Sequence, residues 1–146
     1  MFTKRYKFSN WPNSEIPMVS AGVYAIWEGE QLIYCGMSGR EIEKNTHKTK
    51  YGLITRLNSH ASGRLSGDQF CVYVANRLVI PDLKPSDLPL FASGKLKLDG
   101  LTKKYIHEKL EYQYVLLSSS IEAYSIENEA RAGILLGQLP LLNPIT

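Results

Sequence analysis

The chain has 146 residues, 17 lysines and arginines against 14 aspartates and glutamates, and a formal net charge of +3. This length predicts one domain over residues 1–146, large enough to enclose its own core. Because no apolar run is long enough to cross a bilayer and no hydrophobic signal segment follows Met1, the sequence predicts a soluble cytoplasmic protein with no membrane partner. The two cysteines, Cys35 and Cys71, lie in predicted strands without metal spacing and are predicted to be buried thiols.

Residues 21–36 have the pattern of a β-hairpin. Strand-forming residues flank positions 28–30, where Glu-Gly-Glu is the only turn-like interruption. A hairpin closed at this turn pairs Tyr24 with Tyr34, and directly opposed residues lie on the same face of a sheet. A register shift of one residue would instead place the two phenols on opposite faces. The sequence therefore predicts two tyrosine hydroxyls that lie side by side.

A basic segment follows the hairpin. Between residues 40 and 64, six lysines and arginines outnumber two glutamates. Such an excess is typical of a surface that meets a polyanion, and a solvated loop and helix face would carry the same pattern. Residues 37–51 lack apolar periodicity and are predicted to form a loop. Residues 52–63 have helical spacing, with Arg56 and His60 one turn apart, and this helix is expected to end at its final glycine.

The remaining sequence alternates between predicted strands and helices. Its segments, in chain order, are strands over 70–80, a loop insertion over 82–100, a helix over 101–111, a strand over 112–117 and a last helix from Ser119 to about Leu136. Ser119 followed by Glu122 fits a capping box at the start of that last helix. This order of elements predicts an α+β domain in which a small antiparallel or mixed β-sheet is flanked by helices.

Several polar side chains in this order could act together on a phosphodiester. The two phenols would lie close to the positively charged Arg56, and the last helix offers the carboxylates of Glu127 and Glu129. A carboxylate can bind a hard divalent cation, and a guanidinium makes paired hydrogen bonds to a phosphate. A phenol beside such positive charges loses its proton more readily than a free tyrosine. The set would support attack by water on a phosphodiester.

The same residues resemble the motifs of the GIY-YIG nuclease superfamily. Gly-Val-Tyr at 22–24 is similar to the first motif and Tyr-Cys-Gly at 34–36 to the second, with valine and cysteine in place of isoleucine. Arg56 and His60 resemble the helix arginine and the histidine that follows it in many members. A later glutamate and Asn143, which a proline precedes by three residues, complete the order. The resemblance covers the hairpin, the helix after it and the C-terminal part of the chain.

This resemblance implies a metal-dependent endonuclease that hydrolyses phosphodiester bonds in DNA and uses Mg²⁺ or Mn²⁺. Tyr24 would act as the general base or orient the attacking water, and Tyr34 would help to hold the scissile phosphate or a metal-bound water. Arg56 would clamp the phosphate, and His60 would bond a phosphate oxygen or share proton transfer with Tyr24. A glutamate of the last helix would bind the metal.

Two glutamates of the last helix could be that metal ligand. The residues before Glu127 resemble those that usually precede the metal-binding glutamate in the family. The number of residues from Glu129 to Asn143 is closer to the family's usual interval than the number from Glu127. The two lie about 200° apart around a helix, so they cannot face the same site. Arg40 and Arg64, on either side of the helix arginine, are expected to contact the substrate backbone.

Two further positions are expected to support the site. Gly36 belongs to the second motif, and Asn143 is expected to tie the C-terminal tail to the core. The leading prediction is a stand-alone nuclease that binds and cuts DNA. Two alternatives remain, a nucleic-acid-binding module without catalysis and a ribonuclease. The sequence leaves the oligomeric state and the choice of cut site open.

Overall fold

The computed structural model describes residues 1–144 and has an α+β fold. In this part of the chain a five-stranded sheet is flanked by five α-helices, which confirms the predicted fold class. The strands are β1 (Tyr6–Lys7), β2 (Val19–Glu28), β3 (Gln31–Ser38), β4 (Tyr51–Gly52) and β5 (Glu111–Leu117). The helices are α1 (Leu53–Ser62), α2 (Gln69–Val74), α3 (Leu88–Ala92), α4 (Leu98–Lys109) and α5 (Ser120–Arg131).

The long strand β2 lies at the centre of the sheet. The strand order is β1-β5-β2-β3 with antiparallel pairing, and the short β4 adds a parallel pair at the start of β2. Each face of the sheet carries an apolar cluster. Tyr24 and Ile26 pack with α1 and α2 on one face, whereas Ala25 and Cys35 pack with Ala130 of α5 on the other. The sheet thus separates α1 from α5, and β3 is one of its edge strands.

The predicted hairpin is confirmed, but its predicted register is wrong. Tyr24 lies opposite Gly36, and Tyr34 lies opposite Ile26, two residues from the predicted pairing. One residue of this displacement arises at the turn, where Glu28 pairs with Gln31, and the other at the irregularity between Ile26 and Trp27. Residues two apart on a strand point to the same face, so a displacement of two residues keeps both phenols on one side. The ring centroids of Tyr24 and Tyr34 lie 6.4 Å apart. The two tyrosine side chains therefore lie close together, as expected, although the residues are not directly paired.

Helix α1 follows the prediction closely. Leu53, Leu57 and Ala61 are buried at helical spacing and pack against the central strand. His60, one residue before Ala61, is buried as well. The helix ends at Gly63, whose φ of +71° is the left-handed conformation that glycine adopts at little cost.

The strands predicted over 70–80 are wrong, because this segment is helical. Helix α2 continues through a wide turn at 75–79 and a short 3₁₀ turn. Phe70, Cys71, Val74 and Ala75 are buried, which is the spacing of one helix face rather than of a strand. The side chain of Asp68 caps the helix by accepting the N–H of Cys71, at 2.9 Å. A cap and tertiary packing have here overridden the strand preference of valine and tyrosine.

The insertion predicted to be structureless over 82–100 also contains helical turns. A 3₁₀ turn at Pro85–Asp87 leads into α3, and α4 begins at Leu98 rather than at 101. Pro85 and Pro89 stand in first turns, where a missing backbone N–H costs no hydrogen bond. The prolines therefore mark helix starts here instead of an irregular loop.

Strand β5 and the start of α5 agree with the prediction, and the end of α5 does not. The hydroxyl of Ser119 accepts the N–H of Glu122 at 3.2 Å, as expected for the cap. The helix ends at Arg131, before the predicted Leu136, because Gly133 adopts a φ of +81° and turns the chain. Cys35 and Cys71 are buried and free, as predicted, although Cys71 lies in a helix. No helix within residues 1–144 combines the length and apolarity that crossing a membrane requires.

Candidate active site

A tyrosine and a histidine meet beneath the sheet. Tyr24 is in β2 and His60 is in the last turn of α1, and only 2% of each residue is exposed. The Tyr24 hydroxyl lies 2.8 Å from Nε2 of His60, which is a hydrogen-bond distance. The sequence placed both residues in one site, and the packing of α1 on β2 brings their polar atoms into contact.

Asp68 extends this contact to a third residue that the sequence analysis missed. Nδ1 of His60 lies 2.7 Å from Oδ2 of Asp68, and the hydroxyl of Ser59 donates to the same oxygen at 2.6 Å. The other oxygen accepts the N–H of Cys71 in the helix cap. The sequence signal that could have identified Asp68 is an aspartate in a helix-capping position, followed by apolar residues at helical spacing at 70, 71, 74 and 75. Interpreting that pattern as strands concealed it.

The hydrogen bonds around Asp68 determine where the proton of His60 lies. A carboxylate can only accept hydrogen bonds, so Nδ1 of His60 must carry the proton that it donates to Asp68. In a neutral imidazole the other nitrogen is then an acceptor. Nε2 therefore accepts the hydroxyl proton of Tyr24. The three side chains form a directed chain of hydrogen bonds from Tyr24 through His60 to Asp68.

Burial and hydrogen bonding set the charge states of this chain. Burial raises the pKa of Tyr24 well above its ordinary value, although the positive charge of Arg56 opposes the shift. Burial also lowers the pKa of His60, in spite of the hydrogen bond to Asp68. For Asp68, burial acts to raise the pKa, but the hydrogen bonds from His60, Ser59 and Cys71 outweigh it and lower the pKa. Tyr24 and His60 are thus neutral near pH 7, and Asp68 is ionised.

The lowered pKa of His60 predicts a pH-dependent stability. Below the ordinary value of 6.5 the unfolded chain takes up a proton on His60 that the folded chain does not bind. The free energy of unfolding should therefore fall as the pH is lowered through that value, by at most about 1.4 kcal/mol per pH unit for one proton. Denaturant unfolding between about pH 5 and about pH 8 measures this slope.

Two variants separate the contribution of His60 from that of other groups. His60→Gln should have a smaller slope than the parent protein, whereas His47→Gln, which changes an exposed histidine, should retain it. Titrating groups that do not contact His60 contribute equally to the parent protein and to both variants. An unchanged slope in His60→Gln would mean that His60 titrates alike in the folded and unfolded chains.

Tyr34 lies beside this chain of hydrogen bonds. Its ring contacts those of Phe70 and His60, at centroid distances of 5.1 Å and 6.2 Å. Burial, followed by the negative charge of Glu127, raises the pKa of Tyr34 to about 12. Tyr34 is therefore a neutral phenol at the edge of the aromatic cluster, where it can donate a hydrogen bond.

Gly36 provides the space that the ring of Tyr24 occupies. A Cβ atom at position 36 would lie 2.5 Å from Cζ of Tyr24 and closer still to its hydroxyl. Gly36→Ala should therefore displace the Tyr24 hydroxyl from His60 and lower the free energy of unfolding by about 1–3 kcal/mol. Denaturant unfolding gives the stability change. Gly100→Ala is the control, because a Cβ at position 100 meets open space and the helical backbone tolerates alanine. A stable Gly36→Ala protein would show that the ring can move freely.

The two glutamates of α5 have different surroundings. Only 14% of the Glu127 side chain is exposed, and its Oε1 lies 3.9 Å from Nη1 of Arg131. Burial raises the pKa of Glu127, while Arg131, the backbone N–H of Met37 and Arg40 oppose the shift. Glu129 is exposed to solvent. Glu127 thus reaches the edge strand β3 near Tyr34, and Glu129 points elsewhere.

The three arginines singled out in the sequence do not share one position. Arg56 is exposed on α1, and its charge lowers the pKa of both Tyr24 and His60, so it lies near them. Arg40 is exposed in the loop after β3 and acts on Glu127. Arg64 follows the end of α1, and within residues 1–144 no hydrogen bond or ion pair joins its side chain to Tyr24, Tyr34 or Glu127.

Asn143 ties the C-terminal segment to β3, as the sequence analysis expected. Its Oδ1 accepts the N–H of Cys35 at 2.8 Å, and its Nδ2 donates to the carbonyl of Cys35 at 2.9 Å. The backbone N–H groups of Leu141 and Leu142 also donate to carbonyls of β3. The tail therefore lies along the edge strand, close to Tyr34.

The donor set near Glu127 is suited to a hydrated cation rather than to a metal held by the protein alone. Among residues 1–144, no group of three or more His, Cys, Asp or Glu side chains is arranged to hold a metal ion. Mg²⁺ keeps several waters and is commonly bound through one or two carboxylates and substrate phosphate oxygens. A single, largely buried carboxylate near the edge strand fits that mode of binding.

The fold and the site together define an α+β protein with a buried Tyr–His–Asp chain between the central strand β2 and helix α1. The charges of Arg56 and Glu127 both act on the pKa of Tyr24, so each lies near its ring. Comparisons with profiles of protein families, with curated protein sequences and with solved structures give no match. The site and the motif resemblance are therefore the basis on which a function is assigned.

Proposed function

We propose that the protein is a cytoplasmic, metal-dependent endonuclease of the GIY-YIG type that hydrolyses phosphodiester bonds in DNA. The observation that carries the proposal is the hydrogen-bonded chain of Tyr24, His60 and Asp68 beside Tyr34 and Glu127. A buried phenol whose proton points to a neutral imidazole is a group prepared to pass on a proton. The same arrangement of a base oriented by a carboxylate recurs in unrelated hydrolases.

The raised pKa of Tyr24 fits proton relay better than a preformed phenolate. As a water oxygen forms its bond to phosphorus, the water gives a proton to the oxygen of Tyr24. The hydroxyl proton of Tyr24 moves at the same time to Nε2 of His60, and Asp68 stabilises the resulting imidazolium. The bond from phosphorus to the leaving oxygen breaks with its electron pair, and that oxygen takes a proton from solvent.

In this proposal Arg56 and a cation on Glu127 would balance the negative charge of the phosphate, and Tyr34 would help to position it. Arg56 would bind the non-bridging oxygens through its planar fork of donors, and Tyr34 would donate a hydrogen bond to the phosphate or to a water. Glu127 would hold Mg²⁺ or Mn²⁺. A cation bound there would stabilise the negative charge that develops on the phosphate oxygens.

The surface near the site favours a polyanionic substrate. Arg40, Lys44, Lys48 and Lys50 are all exposed in the segment between β3 and α1. Phosphate contacts of this kind give affinity without sequence selection. Binding should consequently weaken steeply as the salt concentration rises.

Digestion of a panel of nucleic acids, with and without Mg²⁺ or Mn²⁺, tests the proposal. The panel includes supercoiled, linear, nicked, branched and single-stranded DNA, together with single-stranded and structured RNA. Cation-dependent cleavage of DNA is the expected result. Cleavage confined to RNA would make the protein a ribonuclease instead.

One observation favours the second candidate, a nucleic-acid-binding module that does not catalyse. Arg131 lies 3.9 Å from Glu127 and offsets the charge that a cation would need. Retention of nucleic acid without cleavage of any member of the panel would support this module. Cation-dependent cleavage would exclude it.

A further inference from the structure

A cleft of about 880 Å³ opens beside the site, between the helical segment after Asp68, α5 and the C-terminal tail. Its volume lies in the range of about 300–1,000 Å³ that is typical of ligand pockets. Two contacts connect the cleft with the site. The ring of Tyr73, which lines the cleft, lies 6.4 Å from that of Tyr34, and Arg131, which also lines it, is the ion-pair partner of Glu127.

The lining of this cleft has the charge and hydrogen-bonding groups that suit a nucleic acid strand. Arg77 and Arg131 are the basic residues of the lining, the charge of Arg131 being shared with Glu127, and none of the described residues that line the cleft is acidic. Asn76 and Asn128 each offer a donor and an acceptor, which is what base edges require. Arg77 is exposed, so its guanidinium is available to a phosphate.

Tyr73 indicates which form of nucleic acid fits. An aromatic side chain stacks on a base only where the base is splayed out of a duplex, and such stacking is typical of single-strand binding. Tyr73 is partly exposed at the cleft wall next to Tyr34, so a base on its ring would follow directly from a phosphate held near Tyr34. A paired duplex keeps its base faces stacked on each other and cannot use this wall.

We propose that the cleft binds the unpaired nucleotides adjoining the scissile phosphate, so that the substrate is single-stranded DNA or a single-stranded branch. This inference rests on the proposed nuclease function. Arg77 and Arg131 hold the backbone of the strand, Tyr73 stacks on one base, and Asn76 and Asn128 contact base edges.

Fluorescence anisotropy with the Glu127→Gln protein tests the cleft without cleavage of the probe. The probes are a labelled single strand and the blunt duplex of the same sequence. Arg77→Ala should weaken single-strand binding several-fold and reduce the slope of log K against log salt by about 0.7, the value for one phosphate contact. Tyr73→Leu should weaken it roughly tenfold and leave the salt slope unchanged. Lys95→Ala, which removes an exposed charge outside the cleft, is the control and should have little effect.

The outcomes distinguish this inference from the function on which it rests. If the protein cleaves DNA in the presence of a cation but Arg77→Ala and Tyr73→Leu bind single strands as the parent does, the cleft assignment is wrong and the nuclease remains. Equal losses on duplex and single strand would also overturn it. If the parent protein neither binds nor cuts nucleic acid, the proposed function fails together with the cleft.

Discussion

Glu127→Gln is expected to lower cation-dependent cleavage by roughly 10³-fold or more, because a bound cation contributes several kcal/mol to phosphoryl chemistry. The amide keeps the shape of the side chain but loses the negative charge that a hard cation requires. Since Glu127 is at the sheet edge rather than in the core, the fold and the binding of DNA should persist. Nicking of supercoiled plasmid in Mg²⁺ or Mn²⁺, with circular dichroism as a check on folding, measures the effect.

Glu129→Gln is the matched control for this prediction. It makes the same chemical change two residues further along α5, on an exposed side chain. Its cleavage rate should stay close to that of the parent protein. If Glu129→Gln loses activity and Glu127→Gln retains it, the metal ligand has been assigned to the wrong glutamate.

Tyr24→Phe is expected to lower the cleavage rate by roughly 10²-fold or more, the scale of a general-base contribution. The substitution removes one oxygen atom and so interrupts the path from the attacking water to His60. It also leaves Nε2 of His60 without a buried partner, which should lower the free energy of unfolding by about 1–3 kcal/mol. Single-turnover rates at saturating protein separate this chemical defect from any change in binding.

Tyr112→Phe controls for the general effect of removing a buried phenol oxygen. Tyr112 is buried in β5, where its hydroxyl accepts a hydrogen bond from Asn13 at 3.1 Å, and it is not part of the Tyr–His–Asp chain. This variant should lose some stability and keep its rate. A Tyr24→Phe protein that cuts as fast as the parent would remove Tyr24 from the proton path.

The parts of the fold that sequence patterns predicted are those governed by local spacing. The hairpin and α1 follow from strand formers around one turn and from apolar residues at helical intervals ahead of Gly63. The prediction of strands over residues 70–80 was wrong, because valine and tyrosine have a high strand propensity. The cap at Asp68 and the burial of one helix face made this segment helical. Tertiary packing, which composition does not encode, made that difference.

The sequence predicted several residues of the candidate site, but it did not predict the hydrogen bonds that join them. Motif order named Tyr24, Tyr34 and His60, but the hydrogen bond from His60 to Asp68 joins two elements whose packing no local pattern gives. The choice between Glu127 and Glu129 likewise depends on how α5 is rotated against the sheet. Such rotations follow from side-chain packing across the whole core.

The amide of Asn143 has a consequence for the behaviour of the protein in concentrated solution. By exchanging two hydrogen bonds with Cys35, it imitates one residue of a neighbouring strand and occupies backbone groups that an outer strand would otherwise leave free. Uncovered groups of this kind invite a second chain to add its own strand and begin an aggregate. The C-terminal segment should thus oppose self-association through strand β3, because it already occupies part of the hydrogen-bonding edge of that strand.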